Sequence, residues 1–199
     1  MPHVEIDFEA LDAQLAYKLL AGTIVPRPIA LVTTVSAPGI ANAAPYSFFN
    51  VLSADPPLVA LGLENRPDGT TKDTAHNIEA REEFTVNIVS DAIAGAMAAC
   101  AGDFDYEVDE LAQTGLTAAP GKKVSSPYIL EAPAAFECRR FITFAVSRSR
   151  NIVIGRIVHA HYRGDILDLE RMRVNGDALD AVGRLTGRAY TRTRDKFDL

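Results

Sequence analysis

Two long runs of β-type residues in the second half of the chain constrain its fold most strongly. They cover residues 135–147 and 152–162 and are separated only by the polar segment Arg148-Ser149-Arg150-Asn151. Two such runs joined by a short connection predict an antiparallel β-hairpin. Because each run is about twice the usual strand length, we expect the hairpin to belong to a barrel.

The rest of the chain predicts short strands interspersed with short helices. Residues 29–35 are rich in β-branched side chains and end at the Pro38-Gly39 turn, which indicates a mostly buried strand. The tail after Gly183 shows no apolar periodicity. The absence of long crossover helices favours an antiparallel sheet over a doubly wound fold. The same signals predict further strands at 46–51, 58–63, 83–89 and 166–169, and helices at 73–82 and 91–100.

Length and charge limit the domain count and the partners. The chain has 199 residues, and one compact domain spanning 1–199 can bury roughly 70% of the surface that the unfolded chain exposes. Its 20 Lys and Arg residues face 26 Asp and Glu residues, for a formal net charge of −6. Nucleic acids and anionic membranes both select for dense Lys and Arg. We therefore expect a single domain that binds neither nucleic acid nor membrane.

The start of the chain and its longest apolar stretch predict a compartment. The first residues lack the positive region and apolar core of a signal peptide. The apolar stretch 92–101 is broken by Gly95 and is about half as long as the roughly 20 residues of a membrane-spanning helix. Cys100 and Cys138 are too few for a disulfide framework in a chain of this size. These features predict a cytoplasmic protein.

Familiar catalytic and metal-binding motifs do not occur in the sequence. There is no HExxH, CxxC, GxSxG or GxGxxG, which excludes the usual signatures of zinc proteases, zinc ribbons, serine hydrolases and Rossmann domains. His159 and His161 share one face of a predicted strand, but no third ligand is evident, so we interpret them as exposed or hydrogen-bonded surface histidines and predict no metal site. The acidic run 103–110 is interpreted as a solvated loop and helix start without chemistry.

The segment 69–74 combines the groups that a phosphate monoester requires. Its sequence, Gly-Thr-Thr-Lys-Asp-Thr, brings hydroxyl groups, an ammonium group and the N–H groups of a predicted helix start to one place. Spacing alone also fits an ordinary helix, capped by Thr71 or Asp73, with Lys72 in solvent. Both interpretations stay open at this level.

The segment 42–50 is the second candidate for binding. Small residues allow close approach to its backbone, and a flat heterocycle could lie along it. Phe48 and Phe49 are adjacent strand residues facing opposite sides, so at least one of them should be buried. Arg27 lies between Pro26 and Pro28 and is therefore rigidly presented, although an Arg in a turn is usually just solvated.

These segments, taken in order over about residues 15–190, resemble the flavin reductase-like family of FMN-binding split barrels. The resemblance depends on several motifs together and is more specific than any one of them. The matching segments are 26–34, 42–50, 53–57, 72–74, 77–78, 83–87, 132–133, 136–138 and 183–185, together with Tyr190.

The resemblance implies a mainly β fold with flanking helices, an α+β six-stranded antiparallel split barrel that works as a homodimer with FMN near the subunit interface. By resemblance, Ala44, Pro45, Tyr46, Ser47 and Phe48 would line the ring and the ribityl chain of FMN. The phosphate end would be held by Lys72, Asp73 and Thr74, and Arg27 and Pro28 would approach the ring. The pocket would be closed by Arg184 and Tyr190.

The resemblance also implies hydride transfer from NADH or NADPH to flavin N5, with onward delivery of reduced flavin or electrons. Because the cofactors carry this chemistry, no catalytic side chain is assigned. A monooxygenase or an electron-transfer protein is an expected partner. Two departures from the family pattern keep alternatives open: Thr186-Gly187 replaces a pair of glycines, and Arg188 replaces a His. The alternatives are a flavoredoxin-type carrier reduced by a protein and a non-catalytic ligand-binding module.

Overall fold

The predicted hairpin forms the centre of the fold. The computed structural model describes residues 1–102 and 104–198. The two hairpin strands pair from Arg150 opposite Ser147 to Tyr162 opposite Ala134. Numbered in chain order, the strands are β1 (Arg27–Pro28), β2 (Ala30–Val35), β3 (Ala41–Tyr46), β4 (Phe49–Ala54), β5 (Pro57–Glu64), β6 (Glu83–Ile88), β7 (Ala118–Ala119), β8 (Tyr128–Ile129), β9 (Ala134–Ser147), β10 (Arg150–Tyr162), β11 (Leu167–Asp168), β12 (Arg173–Val174), β13 (Val182–Arg184) and β14 (Tyr190–Arg192).

Short helices flank these strands, as the sequence predicts. The helix predicted at 73–82 is confirmed as an α-helix, and its N-cap is Lys72 rather than Thr71 or Asp73. The helix predicted at 91–100 begins as a 3-10 turn, Asp91–Ile93, before it becomes α-helical. The α-helices are α1 (Ala13–Thr23), α2 (Asp73–Arg81), α3 (Ala94–Ala99), α4 (Glu110–Thr114) and α5 (Gly176–Leu179). Within the described residues, no helix is long and apolar enough to cross a membrane.

The main sheet is antiparallel and curls into a split barrel. Within the described residues it contains seven strands, in the order β3-β2-β6-β9-β10-β5-β4. The edge strands β3 and β4 are joined by Ser47 and Phe48 alone, so their facing ends are at most roughly 11 Å apart. The two edges of the sheet therefore meet at this corner. The mainly β class is confirmed.

The corner at Ser47 and Phe48 corrects two predictions. The single strand predicted at 46–51 is wrong, because β3 ends at Tyr46 and β4 begins at Phe49. Since β3 and β4 are separate edge strands, the main sheet of the described residues has seven strands rather than the six that the resemblance implies. Gly62 makes the corner possible: its N–H donates to the Phe48 carbonyl at 2.7 Å, and a Cβ at Gly62 would lie only 2.9 Å from that of Phe48.

Two hydrophobic cores lie on opposite faces of β2. Ala30 and Val32 belong to the core inside the barrel, together with Phe84 and the inner face of α2. Leu31 lies in a second core with residues of α3 and α4. Alternate residues of a strand face opposite sides, so β2 is buried on both faces, as the sequence predicts. This second core holds α4 against β3.

The C-terminal tail contributes strands that apolar periodicity does not predict. β13 pairs with β1, and β14 pairs with β13, to form a small separate sheet. Close contact supports the pairing, because a Cβ at Gly183 would lie 2.8 Å from the Cβ of Pro26. The tail therefore lies beside the Pro26-Arg27-Pro28 segment. The predictions at 58–63, 83–89 and 166–169 are confirmed by β5, β6 and β11.

Candidate functional site

A first cavity of about 470 Å³ lies between β3, the N-terminus of α2, α4 and the segment after α3. Six of the residues predicted to bind the cofactor line it, in two groups: Ala44 to Tyr46 on β3, and Lys72 to Thr74 at the start of α2. A volume of this size is ordinary for a small-molecule site. Its full lining is Asn42, Ala44, Pro45, Tyr46, Arg66, Pro67, Lys72, Asp73, Thr74, Cys100, Ala101, Gly102, Phe104 and Glu110.

The N-terminus of α2 points its backbone donors at this cavity. Lys72 is the N-cap, and its side chain makes no capping hydrogen bond. The first intrahelical bond is donated by His76 N–H to the Lys72 carbonyl at 3.0 Å, so the preceding N–H groups of the first turn have no partner within the helix. Together with the positive end of the helix dipole, these groups favour an anion.

Arg66 and Asp73 form an ion pair at the edge of the same cavity. An Arg66 guanidinium nitrogen lies 2.8 Å from Asp73 Oδ1, and the guanidinium also donates to the Thr71 carbonyl. This pair neutralises the carboxylate nearest the helix start. Lys72 is exposed and is the other cation that lines the cavity. The local charge at the helix start is therefore positive although the whole chain is acidic.

Thr74 connects α2 to β3 through polar side chains. Asn42 Nδ2 donates to Thr74 Oγ1 at 3.0 Å, and both residues are buried. Burial raises the pKa of Tyr46 to about 12; a hydrogen bond with Thr74 acts against this shift, and the carboxylates of Glu110 and Asp73 reinforce it. Tyr46 therefore keeps its proton at neutral pH. The wall formed by Asn42, Tyr46 and Thr74 is neutral and rich in hydrogen-bonding groups.

Glu110 is a site residue that the sequence pattern does not identify. The acidic run 103–110 predicts a solvated loop without chemistry, and this prediction is wrong for Glu110, which is only 8% exposed and lines the cavity. Asp103 lies outside the described residues. Glu110 Oε2 accepts the Ala43 N–H at 2.5 Å. Its place directly after the N-cap Asp109 marks a helix start but does not indicate burial.

The environment of Glu110 alters its acidity. Burial raises its pKa to about 7; the Ala43 N–H acts against this shift, and the nearby charges of Asp73 and Asp109 add to it. A carboxyl group with this pKa is partly protonated at neutral pH. It can therefore donate or accept a hydrogen bond within the cavity.

A second cavity of about 570 Å³ lies around the Ser47–Phe48 corner and is mostly apolar. The predicted residues Arg27, Pro28, Ser47 and Phe48 line this cavity rather than the first one. The Arg150 guanidinium lies over the Phe48 ring, 5.5 Å from its centroid. The other lining residues are Leu20, Ile24, Pro26, Phe49, Asn50, Ala60, Gly62, Val146, Asn151 and Ile152.

Arg27 is buried at the base of the second cavity and links separate parts of the chain. Its guanidinium donates to the carbonyls of Ala21 at 2.5 Å and Ile24 at 3.0 Å, at the end of α1. It also donates to the Leu185 carbonyl at 3.1 Å and to Ser47 Oγ at 3.3 Å. Four of its five N–H donors are therefore used within the protein.

The predicted residues Arg184 and Tyr190 line neither cavity. The Arg184 guanidinium lies 4.6 Å from the centroid of the Tyr190 ring and bonds to the Tyr190 hydroxyl and the Gly187 carbonyl. Arg184 pairs with Arg27 across β1 and β13, so both residues lie on the sheet beside the second cavity. The predicted residues are thus divided among two cavities and this neighbouring surface.

His159 and His161 have a neighbouring carboxylate that their spacing does not reveal. Glu137 is fully buried, and ligand atoms of the three side chains lie within 4.8 Å of one another. However, Glu137 already accepts the backbone N–H groups of Lys122, Lys123 and Val124, besides contacting His161 Nε2 at 2.6 Å. These four bonds fill the acceptor positions of a carboxylate. The prediction of a hydrogen-bonded histidine is confirmed for His161.

Comparisons with known proteins agree with this architecture. Residues 22–176 match the protein family described as "Flavin reductase like domain". An uncharacterized protein of Deinococcus radiodurans is 44% identical over 205 aligned residues, which cover 100% of this chain and 90% of that protein.

Two solved structures are similar over almost the whole chain. Pseudomonas fluorescens 2-nitrobenzoate 2-nitroreductase NbaA has a TM-score of 0.91 and 38% identity, covering 98% of this chain and 95% of that one. Nitrilotriacetate monooxygenase component B from Bacillus cereus has a TM-score of 0.93 and 29% identity, covering 100% of both chains.

Proposed function

Because the chain belongs to the flavin reductase-like family, we propose that it is an FMN-dependent oxidoreductase that uses NADH or NADPH. When bound, FMN supplies hydride acceptance from the nicotinamide and onward delivery of the electrons. The protein holds and orients the cofactor and excludes water. No catalytic side chain is assigned.

The observation that carries this proposal is the N-terminus of α2 opening into the first cavity. The donor set suits a phosphate monoester: first-turn N–H groups, the Lys72 ammonium and the Thr74 hydroxyl. Asp73 is unfavourable to an anion by itself, but its pair with Arg66 offsets that charge. In this proposal Lys72, Asp73 and Thr74 hold the phosphate end.

The same cavity continues along β3, where small side chains leave the backbone accessible. Ala44, Pro45 and Tyr46 form this wall, and Ser47 and Phe48 lead directly into the second cavity. We propose that the ribityl chain and ring of FMN lie along this path, with Pro28 beside the ring. Arg27 positions the path by fixing the end of α1 and Ser47.

We propose a homodimer, with the second cavity completed by the partner subunit. In the outer half of β9, residues 141–147 are all exposed, although adjacent strand residues face opposite sides. Phe141, Phe144 and Val146 are each at least half exposed there. A cluster of this kind marks an interaction surface. Val146 also lines the second cavity, so pairing at this surface would enclose a ligand bound there.

The electron acceptor has two candidate classes. The similarity to a monooxygenase component favours delivery of reduced flavin to a partner monooxygenase. The similarity to a 2-nitrobenzoate nitroreductase favours a nitroaromatic acid instead. The second class is also supported by the apolar second cavity, which has Phe48 as an aromatic wall and the Arg150 guanidinium over that ring. Arg150 is paired with Glu64 at 3.3 Å, so a substrate carboxylate there would share or replace that partner.

Spectroscopy of the purified protein tests the proposal. We expect added FMN to be retained through gel filtration and the bound flavin to bleach when NADH or NADPH is added anaerobically. Reoxidation by 2-nitrobenzoate, compared with benzoate as a control, separates the two acceptor classes. Bound flavin that neither nucleotide reduces would indicate an electron carrier reduced by a protein. Failure to retain FMN under any condition would overturn the proposal.

A further inference from the structure

Within residues 1–102 and 104–198, only one oxygen of the Glu110 carboxyl group is bonded to the protein, and the side chain lines the first cavity. Oε2 accepts the Ala43 N–H at 2.5 Å. Oε1 has no hydrogen-bond partner within the described residues, and it is not among their buried unpaired polar atoms. It is therefore accessible from the cavity, where a ligand group can donate to it or accept from it.

The charges around Glu110 oppose its ionised form. Asp73 faces it from α2, and Asp109 precedes it at the N-cap of α4. The cations of the cavity are Arg66, which is bonded to Asp73, and Lys72 at the helix start. Two neighbouring titratable groups are Tyr46 of β3 and Cys100, which follows α3. Burial raises the pKa of both, so they stay neutral at neutral pH.

We propose that Glu110 is a specificity-determining residue of the first cavity: it holds a polyol phosphate as a neutral acid and disfavours the phosphate once ionised. The proposal rests on the proposed function, in which the ligand is FMN, a molecule that carries both a polyol chain and a phosphate. The ribityl hydroxyls are partners for Oε1, and the phosphate lies at the start of α2. When Glu110 is neutral, the positive charge of Lys72 is the excess charge in the cavity. When Glu110 is ionised, its negative charge cancels that of Lys72.

The pH dependence follows from the sign of the Glu110 shift. Its pKa of about 7 is above the ordinary value, so the neutral form prevails below that pH and the carboxylate forms as the pH rises through it. The added negative charge repels a phosphate in the same cavity. At an effective dielectric constant near 20, one such charge changes affinity roughly three- to tenfold after screening.

FMN affinity measured against pH tests this assignment. Flavin fluorescence quenching is followed from about pH 6 to about pH 8.5 for the wild type and for Glu110→Gln, which keeps an acceptor for the Ala43 N–H. We expect wild-type affinity to fall roughly three- to tenfold relative to Glu110→Gln as pH rises. The ionisation of the phosphate itself, with a pKa near 6, affects both proteins equally. Riboflavin, which has no phosphate, should show a much smaller difference.

Proton uptake gives a second measurement that does not depend on activity. Linkage requires that a phosphate favoured by neutral Glu110 also raises the proton affinity of Glu110. Calorimetry in buffers of different ionisation enthalpy should therefore show net proton uptake on FMN binding near neutral pH in the wild type. Glu110→Gln should lack the proton uptake that comes from position 110. Glu107→Gln, at an exposed acid of the same segment, should behave like the wild type.

The outcomes distinguish this inference from the proposed function. Parallel pH profiles for the wild type and Glu110→Gln, with FMN bound by both, would overturn the role of Glu110 and leave FMN binding intact. Equal pH dependence for riboflavin and FMN would also overturn it. A wild-type protein that binds FMN at no pH would overturn both the proposed function and this inference.

Discussion

Arg27 of β1 and Arg184 of β13 are paired across two antiparallel strands, yet only Arg27 is buried. Arg27 is 7% exposed and donates to backbone carbonyls from α1 and from the tail. Arg184 instead lies over the exposed Tyr190 ring. The same residue type in one register pair therefore serves two purposes. Arg27 connects the end of α1 to Leu185 in the C-terminal tail, and Arg184 lies at the surface beside the second cavity.

Arg27→Met should destabilise the protein. The substitution keeps the apolar stem but leaves the carbonyls of Ala21, Ile24 and Leu185 without a donor. We expect the free energy of unfolding to fall by about 2–4 kcal/mol, measured by urea denaturation. Arg188→Met, at an exposed position of the same tail, is the control and should change stability by less than about 0.5 kcal/mol. Similar small effects for both variants would show that the Arg27 bonds are dispensable.

Arg184→Ala should affect ligand retention rather than folding. Its contacts to Tyr190 and Gly187 are local to one exposed turn, so we expect a stability change of about 0.5 kcal/mol or less. If Arg184 closes the second cavity in the dimer, FMN should dissociate several-fold faster, by about three- to tenfold for one lost polar contact. Stopped-flow dilution measures this rate. A large drop in melting temperature would instead make Arg184 a structural residue.

Local sequence rules predict the strands of this fold better than they predict where the chain turns. β2, β5 and the β9–β10 hairpin follow from residue type and alternation. The local sequence does not indicate the corner at Ser47 and Phe48, because the corner depends on the approach of Gly62 from another strand. The local sequence does not indicate β14 either, because pairing with β13, and not its own periodicity, holds it in place.

The residues of the candidate site likewise fall into those that the sequence identifies and those that it does not. The resemblance supplied the two groups that line the first cavity, Ala44 to Tyr46 and Lys72 to Thr74. The acidic neighbours of Glu110 predict a solvated position for it, which is wrong. Its burial depends on Ala43, which is 67 positions away in the sequence, and on a core that holds α4 against β3. No local pattern contains that information.

Lys72→Ala should weaken the binding of FMN more than that of riboflavin. Lys72 is the cavity's cation outside the Arg66–Asp73 pair, and only FMN carries a phosphate for it to contact. We expect FMN affinity to fall about tenfold, which corresponds to about 1.4 kcal/mol, and riboflavin affinity to stay within about twofold. Fluorescence titration of both ligands measures the difference. Equal losses for the two ligands would reject a phosphate contact.

Phe144→Asp should prevent self-association through the hairpin. Phe144 is 50% exposed within the exposed segment of β9, and a carboxylate there would have to be desolvated in an interface. We expect the variant to be monomeric by light scattering after gel filtration at a concentration where the wild type is dimeric. Phe197→Asp, at an 82% exposed position in the tail, is the control and should not change the mass. A dimeric Phe144→Asp variant would place the interface elsewhere.

Glu137→Gln should destabilise the protein at neutral pH but much less in acid. Burial opposes ionisation of Glu137, but its bonds with the backbone N–H groups of Lys122 and Lys123 and with His161 outweigh that effect and lower its pKa. A carboxyl with a lowered folded-state pKa stabilises the fold above its unfolded pKa, near 4.3. That contribution is lost as the pH falls through the folded value.

The comparison is therefore made across pH. At neutral pH, Gln would turn an N–H group toward the backbone donors that Glu137 accepts, and we expect a loss of about 2–4 kcal/mol in urea denaturation. The difference in free energy of unfolding between the variant and the wild type should become smaller below about pH 4. Glu131→Gln, which removes an exposed carboxylate bonded to the Thr117 N–H, is the matched control and should cost less than about 1 kcal/mol. If this difference in free energy of unfolding stays constant with pH, the charge of Glu137 does not hold the 122–124 loop.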